Sequence, residues 1–180
     1  MVTALQAPES VPRCIAALRS RRLQEASLGA GGHGEPLNTY FVLACAICGC
    51  EENSVRGFKT ATDWGGKQIE ILVSPLTLVC GACGHAALFF DSETDGYDPE
   101  ACGTNMNIRG EGEEGLAACG CGHTRFADVT CHFAYPDDLP EMEEVQSGEL
   151  KAENLFTWFK VHGRCVSCSE ANTIADFECA

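Results

Sequence analysis

The chain has 180 residues, 45% of them hydrophobic, which is enough for one ordinary domain or two small ones and is not the make-up of a disordered chain. Its formal net charge of −14 argues against a general nucleic-acid binder, because phosphate contacts need a surplus of Lys and Arg. The longest apolar run, near 40–45, is far too short to cross a bilayer, so no membrane role is expected.

In chain order, residues 1–39 stand apart. They carry Arg13, Arg19, Arg21 and Arg22 and then a glycine-rich run at 29–34. The spacing of Ile15, Leu18 and Leu23 predicts a short helix over 10–28, which the glycines would end. The segment reads as a flexible or helical N-terminal tail. An organelle presequence is the minor alternative, opposed by Glu9 and Glu25. Pro8, Glu9 and Pro12 interrupt any export signal, so a cytoplasmic setting with reduced thiols is expected.

The body is predicted to be mainly β with little helix. Alternation and β-branched or aromatic content predict strands over 55–62, 68–79, 86–91, 124–135, 155–162 and 172–178. A hairpin turn is expected around Trp64, Gly65 and Gly66. Residues 95–116 are rich in glycine and acids and read as a linker. A short acidic helix is expected within 139–153, and Trp158 is expected in the core.

Thirteen cysteines are the outlying number, and an odd count cannot all pair within one chain. Three Cys-x-x-Cys pairs occur, Cys45/Cys48, Cys80/Cys83 and Cys165/Cys168, where random placement gives about one. A tighter pair, Cys119-Gly120-Cys121, is the fourth. Displaced by 85 positions, Cys80, Cys83, Asp91 and Glu93 fall on Cys165, Cys168, Asp176 and Glu178. That self-similarity predicts a duplicated unit, 40–94 and 117–180, each with two cysteine turns.

A tetrahedral divalent metal needs four soft or borderline ligands on two rigid supports. A Cys-x-x-Cys turn aims two sulfurs at one point, and the following Gly49, Gly84 or Gly122 supplies unusual backbone angles. The expected ligands are Cys45, Cys48, Cys80 and Cys83 for the first site, and Cys119, Cys121, Cys165 and Cys168 for the second. Cys50 competes with Cys45, and His123 with one ligand of the second set. A metal in each unit would be its main fastener, and loss of either ion is expected to unfold its own unit.

The run Cys45-x-x-Cys48-Gly49 with Cys80-x-x-Cys83-Gly84 resembles a zinc ribbon of the rubredoxin-like kind over about 45–91, and more loosely over 119–178. The second unit departs from the pattern at Cys119-x-Cys121 and at Ser169, where the glycine should be. The resemblance implies two small zinc-ribbon-like antiparallel units, each a sheet carrying two knuckles.

Cys131 alternates with Val129, Phe133 and Tyr135 and is expected to be buried, while Cys102 and Cys179 read as plain thiols and Cys14 is left over. Asp91 and Glu93, like Asp176 and Glu178, are expected to serve structure at strand ends. His85 and His123 read as surface residues beside sulfur. There is no phosphate loop, nucleophile elbow or His-Glu-x-x-His.

The expected function is therefore a zinc-binding, non-enzymatic module for an unidentified protein partner. The acidic body suits a basic partner. A rubredoxin-like iron electron carrier and a nucleic-acid-binding zinc ribbon are the alternatives.

Overall fold

The structure, a computed structural model, describes residues 7–23, 37–97 and 110–179. Among the described residues there are nine strands and very little helix. The strands are β1 (Arg19–Arg22), β2 (Leu37–Ala44), β3 (Glu52–Trp64), β4 (Lys67–Cys80) and β5 (Ala86–Phe90). They continue as β6 (Glu114–Leu116), β7 (Phe126–Tyr135), β8 (Trp158–Cys165) and β9 (Ala171–Glu178). All pair antiparallel in one curled sheet. Among the described residues, no helix is long and apolar enough to cross a membrane.

Each of the six strands predicted from alternation lies on an observed strand, within a few residues at the ends. The turn between β3 and β4 is Gly65-Gly66, both at positive φ, the backbone a two-residue hairpin needs. Asp63 closes it by accepting the Gly66 N–H at 2.9 Å. The Trp64 side chain lies outside what is described.

Pairing between strands is where the fold departs from two self-contained sheets. β2, from the first expected unit, runs antiparallel to β7 of the second, from Leu37 opposite Tyr135 to Val42 opposite Thr130. β6, which precedes the second unit, pairs instead with β3 of the first, Arg56 opposite Leu116. β3 and β7 meet directly through Glu52 with Ala127 and Asn53 with Phe126. β4 and β5 then extend the sheet from β3, as β8 and β9 extend it from β7. Strands from both expected units thus share one sheet, and residues 114–116 of the expected linker are a strand within it. Residues 98–109 of that linker, including Cys102, lie outside the described residues, as does the 29–34 glycine run.

The core is shared in the same way. Phe90 of β5 stacks on Phe159 of β8, with ring centroids 4.4 Å apart, and packs on Phe177 of β9 at 5.0 Å. Phe133 and Phe156 complete the aromatic cluster. Phe90, Phe133, Phe156 and Phe159 are all essentially inaccessible to solvent, and burial of each such ring contributes about 1.5–3 kcal/mol. Odd-numbered residues of β7 and β8, namely Val129, Cys131, Phe133, Tyr135, Phe159, Val161 and Cys165, point inward. This is the period of two that a half-buried strand imposes.

The same period corrects the expectation for Trp158. It occupies an even position of β8 and is 38% exposed, while Phe159 takes the core site. The indole Nε1 donates to Asp176 Oδ1 at 2.6 Å, and Lys160 Nζ sits 5.2 Å over the ring. Asp176 also pairs with Lys160 Nζ at 3.1 Å, in mid-strand. Asp91 follows β5 and accepts the Glu93 N–H at 3.0 Å. The two aspartates are thus alike in sequence position and different in use.

Of the helix expected over 10–28, residues 24–28 lie outside the described residues; over 10–23 a 3-10 turn, Arg13–Ile15, and strand β1, which pairs with β2, stand in its place. Ile15 and Leu18 are buried in the core. The Arg13 N–H donates to Asn154 Oδ1 at 2.8 Å, and its guanidinium pairs with Asp95 at 3.2 Å. Tertiary contacts have overridden a weak helical spacing here. The acidic helix expected in 139–153 shrinks to one turn, α1 (Glu143–Gln146), between 3-10 turns at Leu139–Glu141 and Ala152–Asn154. Ser147 and Gly148, the latter at φ +78°, end it.

Candidate metal centres

Eight sulfurs come together as two groups of four. Cys45, Cys48, Cys80 and Cys83 form one; Cys119, Cys121, Cys165 and Cys168 form the other. Within each group the ligand atoms all lie within 4.8 Å of one another. The first of each pair is buried and the second exposed, so each group has two inner and two outer sulfurs.

The placement follows from local sequence. Cys45 and Cys48 lie on the turn between β2 and β3, and Cys80 and Cys83 on the turn between β4 and β5. In the first turn the Cys45 N–H donates to the Cys50 carbonyl at 2.9 Å and the Gly49 N–H returns to the Cys45 carbonyl at 2.9 Å. In the second, the Cys80 N–H donates to the His85 carbonyl at 2.8 Å, and Gly84 closes on Cys80 at 3.0 Å. The Cys165 turn repeats this with Glu170 at 2.9 Å and Ser169 at 2.9 Å. The shorter Cys119 turn is closed by His123 and Gly122, each at 2.8 Å.

Every closing residue has positive φ: Gly49 at +74°, Gly84 at +72°, Gly122 at +89° and Ser169 at +63°. Only Ser169 carries a side chain there, and the left-handed region costs an L-residue about 1–2 kcal/mol. Part of that is offset by the flexibility a glycine adds to the unfolded chain. Ser169→Gly is therefore expected to stabilise the metal-loaded protein by about 0.5–1 kcal/mol. Thermal melts against wild type measure it, and an unchanged or lower midpoint counts against the argument.

Sulfur–sulfur distances decide what each group can do. The cross pairs are Cys45–Cys83 at 3.6 Å and Cys48–Cys80 at 3.5 Å, and in the second group Cys119–Cys168 and Cys121–Cys165, both at 3.5 Å. A disulfide needs about 2.05 Å. A tetrahedron with metal–sulfur bonds of about 2.3 Å has edges of about 3.8 Å. Both groups fit a tetrahedral metal ion and fit no disulfide.

Backbone dipoles also prepare three of the inner sulfurs, those of Cys45, Cys80 and Cys165, as thiolates, the form that binds metal. The Cys83 N–H, 3.5 Å from Cys80 Sγ, and the Ala82 N–H, at 3.4 Å, hold that thiol down at about 6. Cys168 and Ser167 do the same for Cys165, also at about 6. Cys48 and Ile47 lower Cys45.

The competing residues fall outside the groups. Cys50 Sγ accepts the Glu52 N–H at 3.4 Å. His123 Nδ1 lies 3.9 Å from Cys121 Sγ, against one outer sulfur and not among the four. Cys131 and Cys179 are buried.

Two side chains that carry no local sequence signal hold the turns. Asn53 donates from Nδ2 to the Cys50 carbonyl at 3.2 Å, tying β3 to the first turn. Asn172 of β9 reaches Cys119 Sγ. No local motif marks either residue, because each acts on a turn reached through strand pairing. Arg125 links the two centres: its carbonyl accepts the Val166 N–H at 3.2 Å, and its guanidinium donates to the Gly81 carbonyl at 3.4 Å.

The centres share one cross-strand row. Cys80 lies opposite Asn53, Asn53 opposite Phe126, and Phe126 opposite Cys165. Three strand spacings separate Cys80 from Cys165, about 14 Å.

No protein-family model, no curated protein and no solved structure matches this chain.

Proposed function

We propose that this protein is a non-enzymatic interaction module held together by two structural zinc ions and directed at a basic protein partner. The observation that carries the reading is the pair of four-sulfur groups, each with two cross-pair edges of 3.5–3.6 Å and all its sulfurs within 4.8 Å of one another. A structural zinc site has four protein ligands, whereas a catalytic one keeps a position open for water or substrate. Zinc is preferred among divalent ions because tetrathiolate sites suit it and because it brings no redox chemistry.

Two of the remaining thiols, Cys131 and Cys14, support a structural role. Burial pushes the Cys131 thiol well above its ordinary value. Burial, then the nearby Asp95, does the same to Cys14. A nucleophilic cysteine needs the opposite, an electropositive setting that favours the thiolate. The net charge of −14 favours association with a basic surface and repels acidic ones.

Metal analysis of the purified full chain tests the reading. Two zinc ions per chain are expected, falling to one in Cys83→Ser and to one in Cys168→Ser. A red, redox-active preparation containing iron would replace zinc with an electron-transfer role. The partner reading is tested by a pull-down at low salt. A basic protein should be retained, then released as ionic strength approaches about 1 M, where the screening length falls to about 3 Å. Failure to retain any protein at low salt removes the interaction role and leaves the metal sites standing.

A further inference from the structure

The second metal centre is built from a shortened turn, and the shortening has a chemical consequence. In a Cys-x-x-Cys turn, the first sulfur faces the N–H groups two and three residues on. Cys45 has Ile47 and Cys48, Cys80 has Ala82 and Cys83, and Cys165 has Ser167 and Cys168. Cys119-Gly120-Cys121 has one residue fewer, and the N–H three residues on, that of Gly122, is turned to the Cys119 carbonyl at 2.8 Å. Cys119 is 3% exposed, so water contributes little there. Glu170 Oε2 stands 4.0 Å from its sulfur, which adds like charge beside a thiolate. A buried anion in such a place needs a donor.

Asn172 supplies one. Its Nδ2 lies 3.6 Å from Cys119 Sγ and donates to the Glu170 carbonyl at 2.8 Å. An amide nitrogen has two hydrogens, one for each partner. Turning the amide over would set its oxygen against a carbonyl and a thiolate, so the donor orientation is fixed by chemistry. At the matching place in the first centre, 85 residues earlier, stands Ala87, whose side chain has no donor. The difference lies in one turn: the Cys165 turn of the second centre keeps its backbone donors, whereas at Cys119 the Gly122 N–H is taken by a carbonyl and the Asn172 amide stands against the sulfur.

We propose that Asn172 is a positioning residue of the second metal centre, replacing through its side chain the backbone N–H···S bond that the shortened turn gives up, and so setting the metal affinity and sulfur reactivity of that centre alone. The inference rests on the metal-binding reading above. It goes further in giving the two centres different supporting chemistry and a separate means of adjustment.

The test uses the full chain as wild type, Asn172→Ala and Asn172→Asp. The aspartate keeps the shape and loses the donor. Each protein is loaded with cadmium, and the two sites are followed by cadmium NMR during competition with a graded chelator. Alkylation of Cys119 in the zinc-loaded form is timed by peptide mass spectrometry, and circular dichroism checks the fold. Outer partners of metal ligands typically change affinity by about 10–100-fold. A loss of that order is expected at one site, larger for the aspartate, with the other resonance and its affinity unmoved and alkylation of Cys119 faster. Affinity and alkylation within twofold of wild type in both variants would overturn the assignment. Equal weakening at both sites would overturn it too, since that is what general loosening of the sheet produces. A wild-type chain that gives no second resonance removes the metal reading itself, a failure visible before any variant is made.

Discussion

Chelating the metal from the intact protein is expected to melt the whole sheet in a single transition. The sequence pattern suggests two units that unfold one at a time. The strand pairing argues otherwise, because β2 borders β7 and β6 borders β3, so each centre is anchored in strands that serve the other. A structural zinc contributes about 10–16 kcal/mol to a small site at neutral pH. The net stability of a domain is about 5–15 kcal/mol. Loss of both ions therefore exceeds what the shared core can hold, and the melt is common to both halves because Phe90 of the first is stacked on Phe159 of the second. Amide NMR during a chelator titration distinguishes the outcomes. Simultaneous loss of dispersed signals from 40–94 and from 117–180 is expected. A state with one half dispersed and the other collapsed would restore independent units.

Cutting the gene is expected to have an effect of similar size. Residues 1–97 and 98–180, expressed separately with zinc, should each fail to fold. The first piece would carry β2 without β7, leaving eight residues with β1 alone along one edge. The second would carry β7 with β8 and β9 but with its other edge open. Phe133, now buried, would lose Phe41 as an edge-to-face neighbour at 6.1 Å. Co-expression of the two pieces should recover a soluble complex with both metal ions, checked by size-exclusion chromatography and metal content. Either piece folding alone as a monomer with its own ion would show that the exchange of strands is dispensable.

The parts legible in the sequence were those set by near neighbours. Alternation placed β7 and β8 because a strand that buries one face must repeat every second residue. The cysteine spacing marked the turns because two sulfurs and a closing residue of unusual φ are all local requirements. Partner choice was not legible: Leu37 and Tyr135 meet only after the chain has passed through four intervening strands. Trp158 was misplaced because its hydrophobicity suggested burial, whereas its parity on β8 decided exposure. The weak helical spacing of Ile15, Leu18 and Leu23 gave way because β2 offers β1 an edge to pair with. Asn53 and Asn172 stayed hidden because an asparagine far along the chain announces nothing about the turn it supports.

The crossing of strands between halves also bears on how the chain is made. Asn38 and His132, hydrogen-bonded in the finished molecule, are 94 positions apart. As the polypeptide leaves the ribosome, the first cysteine quartet can gather its ion while β2 still has no long partner. The strand then waits, its edge available to other chains, until β7 emerges. Folds dominated by such distant pairings form slowly and are prone to associate on the way. Early capture of the first ion would hold the nascent hairpin in shape through that interval, so zinc supply during synthesis should govern how much of the protein reaches the soluble fraction.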